Sequence, residues 1–210
     1  MTTSQTLIAG ILLCAGKSSR FGKNKLLQSL PGSKIPVALQ SATTLVDILP
    51  FSFAIIPSGD SKLKNLLSPV GIHCIENHAS DEGISSSIRT GIQAIQRQSQ
   101  VFSRLAGFVI ALGDMPFIPA AVIQEIAETV ANGESICAPI YQGQRGHPVG
   151  FSVTLADELL RLNGDNGAKS IITKYKNDAY FISCDSRGIL QDIDFPEDIY
   201  SNVAAGKMTL

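Results

Sequence analysis

Three short segments hold the residue types that phosphate chemistry requires. The first runs Leu12-Leu13-Cys14-Ala15-Gly16 and continues through Lys17, Ser18, Ser19, Arg20, Phe21, Gly22, Lys23 and Asn24 to Lys25. An apolar run thus ends in a loop of small residues carrying four cations in nine positions. Small residues let backbone N–H groups approach a phosphate closely, and the cations neutralise it. The spacing differs from a Walker A loop, because five residues separate Gly16 from Gly22 and Lys23 is followed by Asn24 rather than Ser or Thr. Nor does it contain the G-x-G-x-x-G of dinucleotide folds. The plain alternative is a basic surface turn. The second segment is Ala111-Leu112-Gly113-Asp114-Met115-Pro116, and the third is Asp192-Ile193-Asp194-Phe195-Pro196. Asp114 alone would serve to cap a helix beginning near Pro119. Paired with a carboxylate of the third segment it needs a cation between the two, and a few carboxylates with a polyphosphate and waters make the environment Mg2+ selects. The three segments together suit a metal–nucleotide complex.

Such segments work only if a scaffold brings them together. Short apolar runs rich in β-branched residues predict strands at 6–13, 51–57, 72–76, 107–112, 135–140, 148–152, 179–184 and 189–193. Ile84, Ile88, Ile92 and Ile95 recur at helical spacing, as do Val122, Ile123, Ile126, Ala127 and Val130, and then Ala168, Ile171, Ile172 and Tyr175. Pro196, with Glu197 and Asp198 after it, predicts a last helix. This alternation predicts an α/β fold, a three-layer α/β/α Rossmann-like sandwich with a mostly parallel sheet, in one domain spanning 1–210. Loops at the carboxyl ends of parallel strands surround the ligand crevice of such folds, and all three segments fall at predicted strand ends.

At this level of detail the chain resembles a known family. The run from Leu13 through Ala15, Gly16, Ser18, Arg20, Phe21 and Gly22 to Lys25-Leu26-Leu27 carries the resemblance, with Gly113-Asp114-Met115-Pro116, Gly146-His147-Pro148-Val149, Gly164-Asp165-x-Gly167-Ala168 and Asp192-Ile193-Asp194-x-Pro196-Glu197-Asp198. In that order they are similar to the molybdenum cofactor cytidylyltransferases, nucleotidyltransferases with a glycosyltransferase-A-like fold. The resemblance implies attack by the terminal phosphate of molybdopterin on the α-phosphate of CTP, releasing pyrophosphate. It implies that the backbone around Leu13, Cys14, Ala15 and Gly16 meets the nucleotide, that Arg20 and Lys25 meet the triphosphate, and that Asp114 and Asp194 hold Mg2+ or Mn2+. The Leu13-Cys14-Ala15-Gly16 start is closer to the cytidylyl than to the guanylyl enzymes. The segment holding Gly83, Ser85 and Ser86 is similar to the family's base-binding segment; capping of the following helix is the other use of those serines. The polar loop of Gln142 to Pro148 and the loop of Gly164 to Ala168 would lie toward the pterin, making Arg145, His147 and Asp165 candidate contacts. Arg suits phosphate, and His would hydrogen-bond the substrate or change protonation near neutrality.

Composition bounds the alternatives. Seventeen basic and eighteen acidic side chains leave a net charge of −1, which supplies no field for nucleic acid or an anionic membrane. Four cysteines without a C-x-x-C pair exclude a zinc ribbon and a thioredoxin-like motif, and fit reduced thiols in a cytoplasmic protein. No apolar run approaches the roughly 20 residues of a membrane span. No internal repeat is visible. A recipient molybdoenzyme is a further expected partner. The competing readings are a guanylyltransferase, a nucleotidyltransferase for another phosphorylated small molecule, and a non-catalytic module that carries the finished cofactor.

Overall fold

Apolar side chains on alternate residues of the same strands point to opposite faces, so each central strand must be covered twice. The computed structural model describes residues 7–16, 24–195 and Asp198. Its sheet has eight strands: β1 (Leu7–Leu13), β2 (Ser52–Pro57), β3 (His73–Asn77), β4 (Leu105–Leu112), β5 (Ile136–Tyr141), β6 (Gln144–Arg145), β7 (Val149–Ser152) and β8 (Ala179–Ser183). The order is β3-β2-β1-β4-β7-β5, with β6 and β8 both pairing with β5. β3, β2, β1 and β4 are mutually parallel, β7 is antiparallel to both its neighbours, and β8 is parallel to β5.

Ile8, Leu12, Ala54, Ile56, Val109 and Ala111 face one layer, built from α1 (Val37–Ile48), α2 (Ser61–Leu67) and α5 (Ala120–Ala131). Ala9, Ile11, Phe53, Ile55, Phe108 and Ile110 face the other, built from α3 (Ile84–Gln96), the short α4 (Ser99–Phe102), α6 (Ala156–Leu160) and α7 (Lys169–Lys174). The result is a three-layer α/β/α sandwich. Of the α3 stripe, Ile88, Ile92 and Ile95 are buried and Ile84 is half-buried. Truncating Ile92 to Ala would cost about 2–5 kcal/mol, the usual price of a core cavity.

Two segments differ from their sequence reading. Residues 189–193 form no strand. Arg187–Leu190 is a turn of 3-10 helix, capped by the Ser186 hydroxyl, which accepts from the Gly188 N–H at 3.1 Å, and an extended piece follows it. The apolar residues Ile189, Leu190 and Ile193 fall at helical rather than alternating spacing. The turn wedges instead between two backbones. A Cβ on Gly188 would lie 2.0 Å from the Phe117 carbonyl oxygen, and the His147 N–H donates to the Ile189 carbonyl at 2.9 Å. The loop at 142–148 is in part a hairpin. Gln142 and Gly143 both have positive φ (48° and 79°), as a two-residue hairpin turn needs, and Gln144–Arg145 pairs back onto β5. The expected helix at Pro196 lies outside the described residues except for Asp198, as do Lys17, Arg20, Gly22 and Lys23.

Candidate active site

The carboxyl ends of β1 and β4 lie side by side, because the two strands are paired through Leu13 and Leu112. Beyond them the Gly113 N–H donates to the Leu13 carbonyl at 2.9 Å. Ser41 of α1 donates to the Gly113 carbonyl at 3.1 Å, fixing the loop from the opposite layer. Asp114 therefore emerges at a defined place. It caps no helix: the N-cap of α5 is Pro119, with no side-chain hydrogen bond. The extended piece after the 187–190 turn runs past it, with the Ile193 N–H donating to the Asp114 carbonyl at 3.0 Å and the Ile193 side chain wholly buried. Asp198 secures the next bend by accepting from the N–H groups of Asp194 and Phe195 at 2.9 and 2.7 Å.

The two carboxylates close on one ammonium. Lys25 Nζ lies 2.7 Å from Asp114 Oδ2 and 2.7 Å from Asp194 Oδ1. Lys25 is 8% exposed, in a short 3-10 turn begun by Asn24, whose side chain accepts from the Leu26 N–H. Burial works to lower its pKa, but the charges and hydrogen bonds of Asp114 and Asp194 outweigh it and hold the ammonium above its ordinary value. Lys25, expected to meet a triphosphate, is engaged here by both expected metal ligands. Asp192, two residues before Asp194, has its carboxyl raised by burial and by the Asp194 charge.

Lys25 and Asp114 line a cavity of about 300 Å3 with Leu13, Cys14, Ala15 and Gly16. Its far wall includes Ser80, Asp81, Gly83 and Ser87. Ser85 and Ser86 are not among the lining residues: both are buried, and the Ser86 hydroxyl donates to the Gly83 carbonyl and accepts from Asn77. The helix periodicity explains the difference. Ser87 occupies the other side of the first turn of α3, and its hydroxyl accepts from the same Asn77 amide at 3.0 Å. Three consecutive serines at a helix start necessarily point in three directions, and the one that lines the cavity is Ser87 rather than Ser85 or Ser86. Cys14 is buried and its thiol is pushed far up, by burial first and then by the Asp114 charge, so it is no nucleophile.

A second cavity of about 230 Å3 adjoins the first. Both are lined by Leu13, Ile84, Leu112 and Asp165. The second adds Arg145, His147 and Lys169 over a floor that includes Ile88, Val149, Phe151 and Ile172. Arg145, His147 and Asp165 thus meet in one place, although they come from β6, the strand break after it and a distant loop. His147 differs from its expected behaviour near neutrality. Burial, assisted by the Arg145 charge, pushes its imidazole down to about 4, against an opposing pull from Asp114. It is neutral at pH 7, and its Nδ1 is buried without a hydrogen-bond partner. An unpaired buried acceptor is tolerated better than an unpaired N–H, so the proton belongs on Nε2.

Among the described residues no group of three or more His, Cys, Asp or Glu is arranged to hold a metal, and no helix is long and apolar enough to cross a membrane. Residues 10–179 match the family described as the MobA-like NTP transferase domain. The purine catabolism protein PucB of Bacillus subtilis (strain 168) is 25% identical over 201 residues, covering 91% of this chain and 93% of that one. The structure of Rv0371c from Mycobacterium tuberculosis H37Rv superimposes with a TM-score of 0.77 at 24% identity, covering 96% of this chain and all of the other. A structure of the same protein as a complex with manganese gives 0.72 at 22% identity, with the same coverage. The molybdopterin-guanine dinucleotide biosynthesis protein A of Archaeoglobus fulgidus gives 0.61 at 17% identity, covering 94% and 97% of the two chains.

Proposed function

This chain belongs to the MobA-like NTP transferase family and is a nucleotidyltransferase; from that premise we propose that it transfers the cytidylyl group of CTP to the phosphate of molybdopterin. The observation that carries the reading is the Lys25 ammonium held between Asp114 and Asp194 at the edge of two adjoining cavities. A phosphate monoester has its second pKa at about 6, so the nucleophile is already an anion at neutral pH and needs no activating base. A phosphate oxygen forms a bond to the α-phosphorus of CTP, and the bond to the bridging oxygen breaks, with pyrophosphate leaving on that electron pair.

The work of the protein is to hold two anions in line and to stabilise the charge that shifts onto the leaving group. Backbone N–H groups of Ala15 and Gly16 orient the triphosphate from the end of β1. Lys25 supplies a fixed positive charge beside it, and Arg20, which lies outside the described residues, supplies a second. Asp114 and Asp194 offer only hard oxygen donors and already flank a cation, so the set fits Mg2+ or Mn2+. When bound, the metal supplies Lewis-acid neutralisation of the phosphate oxygens. Arg145, neutral His147 and Asp165 receive the acceptor in the second cavity, His147 as a donor through Nε2–H and Arg145 toward its phosphate. The base preference rests on the Leu13-Cys14-Ala15-Gly16 start, with Gly83 and Ser87 on the facing wall.

All four cysteines are free, in keeping with a reaction in the cytoplasm; a recipient molybdoenzyme would take up the product. Pyrophosphate release measured across the four nucleoside triphosphates, with Mg2+ and with or without molybdopterin, tests the reading. Release is expected with CTP and only with the acceptor present. Release with GTP alone would make this a guanylyltransferase, and CTP binding without release would make it a carrier of the cofactor.

A further inference from the structure

Arg89 lies in none of the motifs discussed above, yet it joins the two loops that wall both cavities. It projects from α3 with its side chain 20% exposed. One guanidinium nitrogen, Nη2, reaches back 2.8 Å to Glu82 Oε2, in the turn at Ser80–Glu82. The other, Nη1, donates forward to the Leu162 carbonyl and, at 3.3 Å, to Asn163 Oδ1. The first arm ends beside Ser80, Asp81 and Gly83, which line the cavity at the end of β1. The second ends at the loop whose next residues are Gly164 and Asp165, and Asp165 lines both cavities.

The two loops touch where Arg89 draws them together. Gly83 has φ +92°, and a Cβ there would lie 2.1 Å from Asp165 Oδ1 and 2.8 Å from the Gly164 carbonyl oxygen. Only a residue without a side chain permits this approach. The fork of an arginine holds its two acceptors on separate terminal nitrogens, whereas a lysine would have to bring both onto one nitrogen at the end of a shorter reach. The Glu82 arm alone would be weak, because that carboxylate is 61% exposed and screened by water. A charge-assisted bond to the Leu162 backbone carbonyl is the firmer arm.

We propose that Arg89 is a positioning residue that staples the 80–83 and 162–168 loops together and thereby sets Asp165 between the nucleotide and acceptor cavities. The role rests on the transferase reading above for the identity of the two ligands, but the staple itself is a property of the unliganded chain. Hydrogen exchange on the free protein reads it directly. Arg89→Ala is expected to speed amide exchange in both loops by about fivefold or more while leaving the interior of α3 and the sheet unchanged. Loosening confined to 80–83 would overturn the staple. Should Arg89→Ala fail to fold, Arg89→Lys, whose single nitrogen would have to serve both loops from a shorter reach, is expected to give the same pattern.

Steady-state pyrophosphate release with CTP, Mg2+ and molybdopterin then separates positioning from bulk stability. Arg89→Ala is expected to raise the acceptor KM about fivefold with kcat within about twofold, and Asp165→Asn to do the same. If Arg89 acts through Asp165, the double variant is no worse than Asp165→Asn alone; fully additive losses would show that it does not. Absence of pyrophosphate from the unaltered protein with every nucleotide would refute the transferase reading and leave the exchange result to decide on the staple.

Discussion

Lys25 is the residue on which the site turns. Its ammonium neutralises two carboxylates that would otherwise face each other across a few ångströms. Lys25→Met removes the cation and leaves the acidic pair uncompensated. That variant is expected to melt lower than the unaltered protein and to regain more of the loss on adding millimolar Mg2+, because the metal binds the folded pair and not the unfolded chain. A Mg2+ response equal in the two proteins would count against Asp114 and Asp194 as a metal pair. Asp114→Asn keeps the size of the side chain and one oxygen toward Lys25, so the melting temperature is expected to move little. Pyrophosphate release is expected to fall by about a hundredfold or more, as when a group aimed at developing charge is lost.

Elements decide whether those residues meet. Asp114 and the Cys14–Gly16 corner were readable, because each follows a β-rich run and sits at a strand end of a parallel sheet. The segment that leads to Asp194 has the composition of a strand but forms a 3-10 turn and an extended piece. What holds it is a set of single backbone contacts, Gly188 against Phe117, Ile189 against His147 and Ile193 against Asp114, and no local pattern announces contacts of that kind. Gly188→Ala tests the arrangement. A methyl group 2.0 Å from the Phe117 carbonyl must displace the turn, at a cost of about 1–3 kcal/mol. Activity is expected to fall with stability, since Asp194 moves with the turn; full activity in a destabilised variant would show that the segment is dispensable. α1 also escaped the sequence reading. Its stretch VALQSATTLVDI mixes small and β-branched residues, and its N-cap is Pro36 with no side-chain bond, so both its periodicity and its start signal are faint.

The molecule as a whole carries almost no net charge, yet its charges are sorted by place, with acidic groups gathered on Lys25 and cationic groups gathered around the second cavity. That sorting has a pH consequence. His147 sits with Arg145, Lys169 and Asp165 in its cavity and within reach of the Asp114 charge. Its imidazole falls from an ordinary 6.5 to about 4 on folding. Between those values the unfolded chain binds a proton that the folded one refuses, so this group's contribution is complete above pH 6.5 and is lost as pH falls toward 4. His147→Gln is expected to flatten the decline in melting temperature across that window, and an unchanged decline would assign it to other groups. The three layers were legible from strand ends and helical stripes, whereas Arg145, His147 and Asp165 were reached only through the family resemblance. The protonation of His147 was not legible, because burial is a property of the assembled layers and not of any one segment.

The bond between Lys25 and Asp194 joins residues 169 positions apart, and Asp194 comes after the last strand of the described sheet. During synthesis the chain emerges from its amino end, so every strand is available before the second carboxylate exists. A chain clipped ahead of Asp192 would contain the residues of all eight strands but only half of the acidic pair. On the metal role proposed for that pair, a chain lacking 192–194 is expected to build the sheet yet release no pyrophosphate.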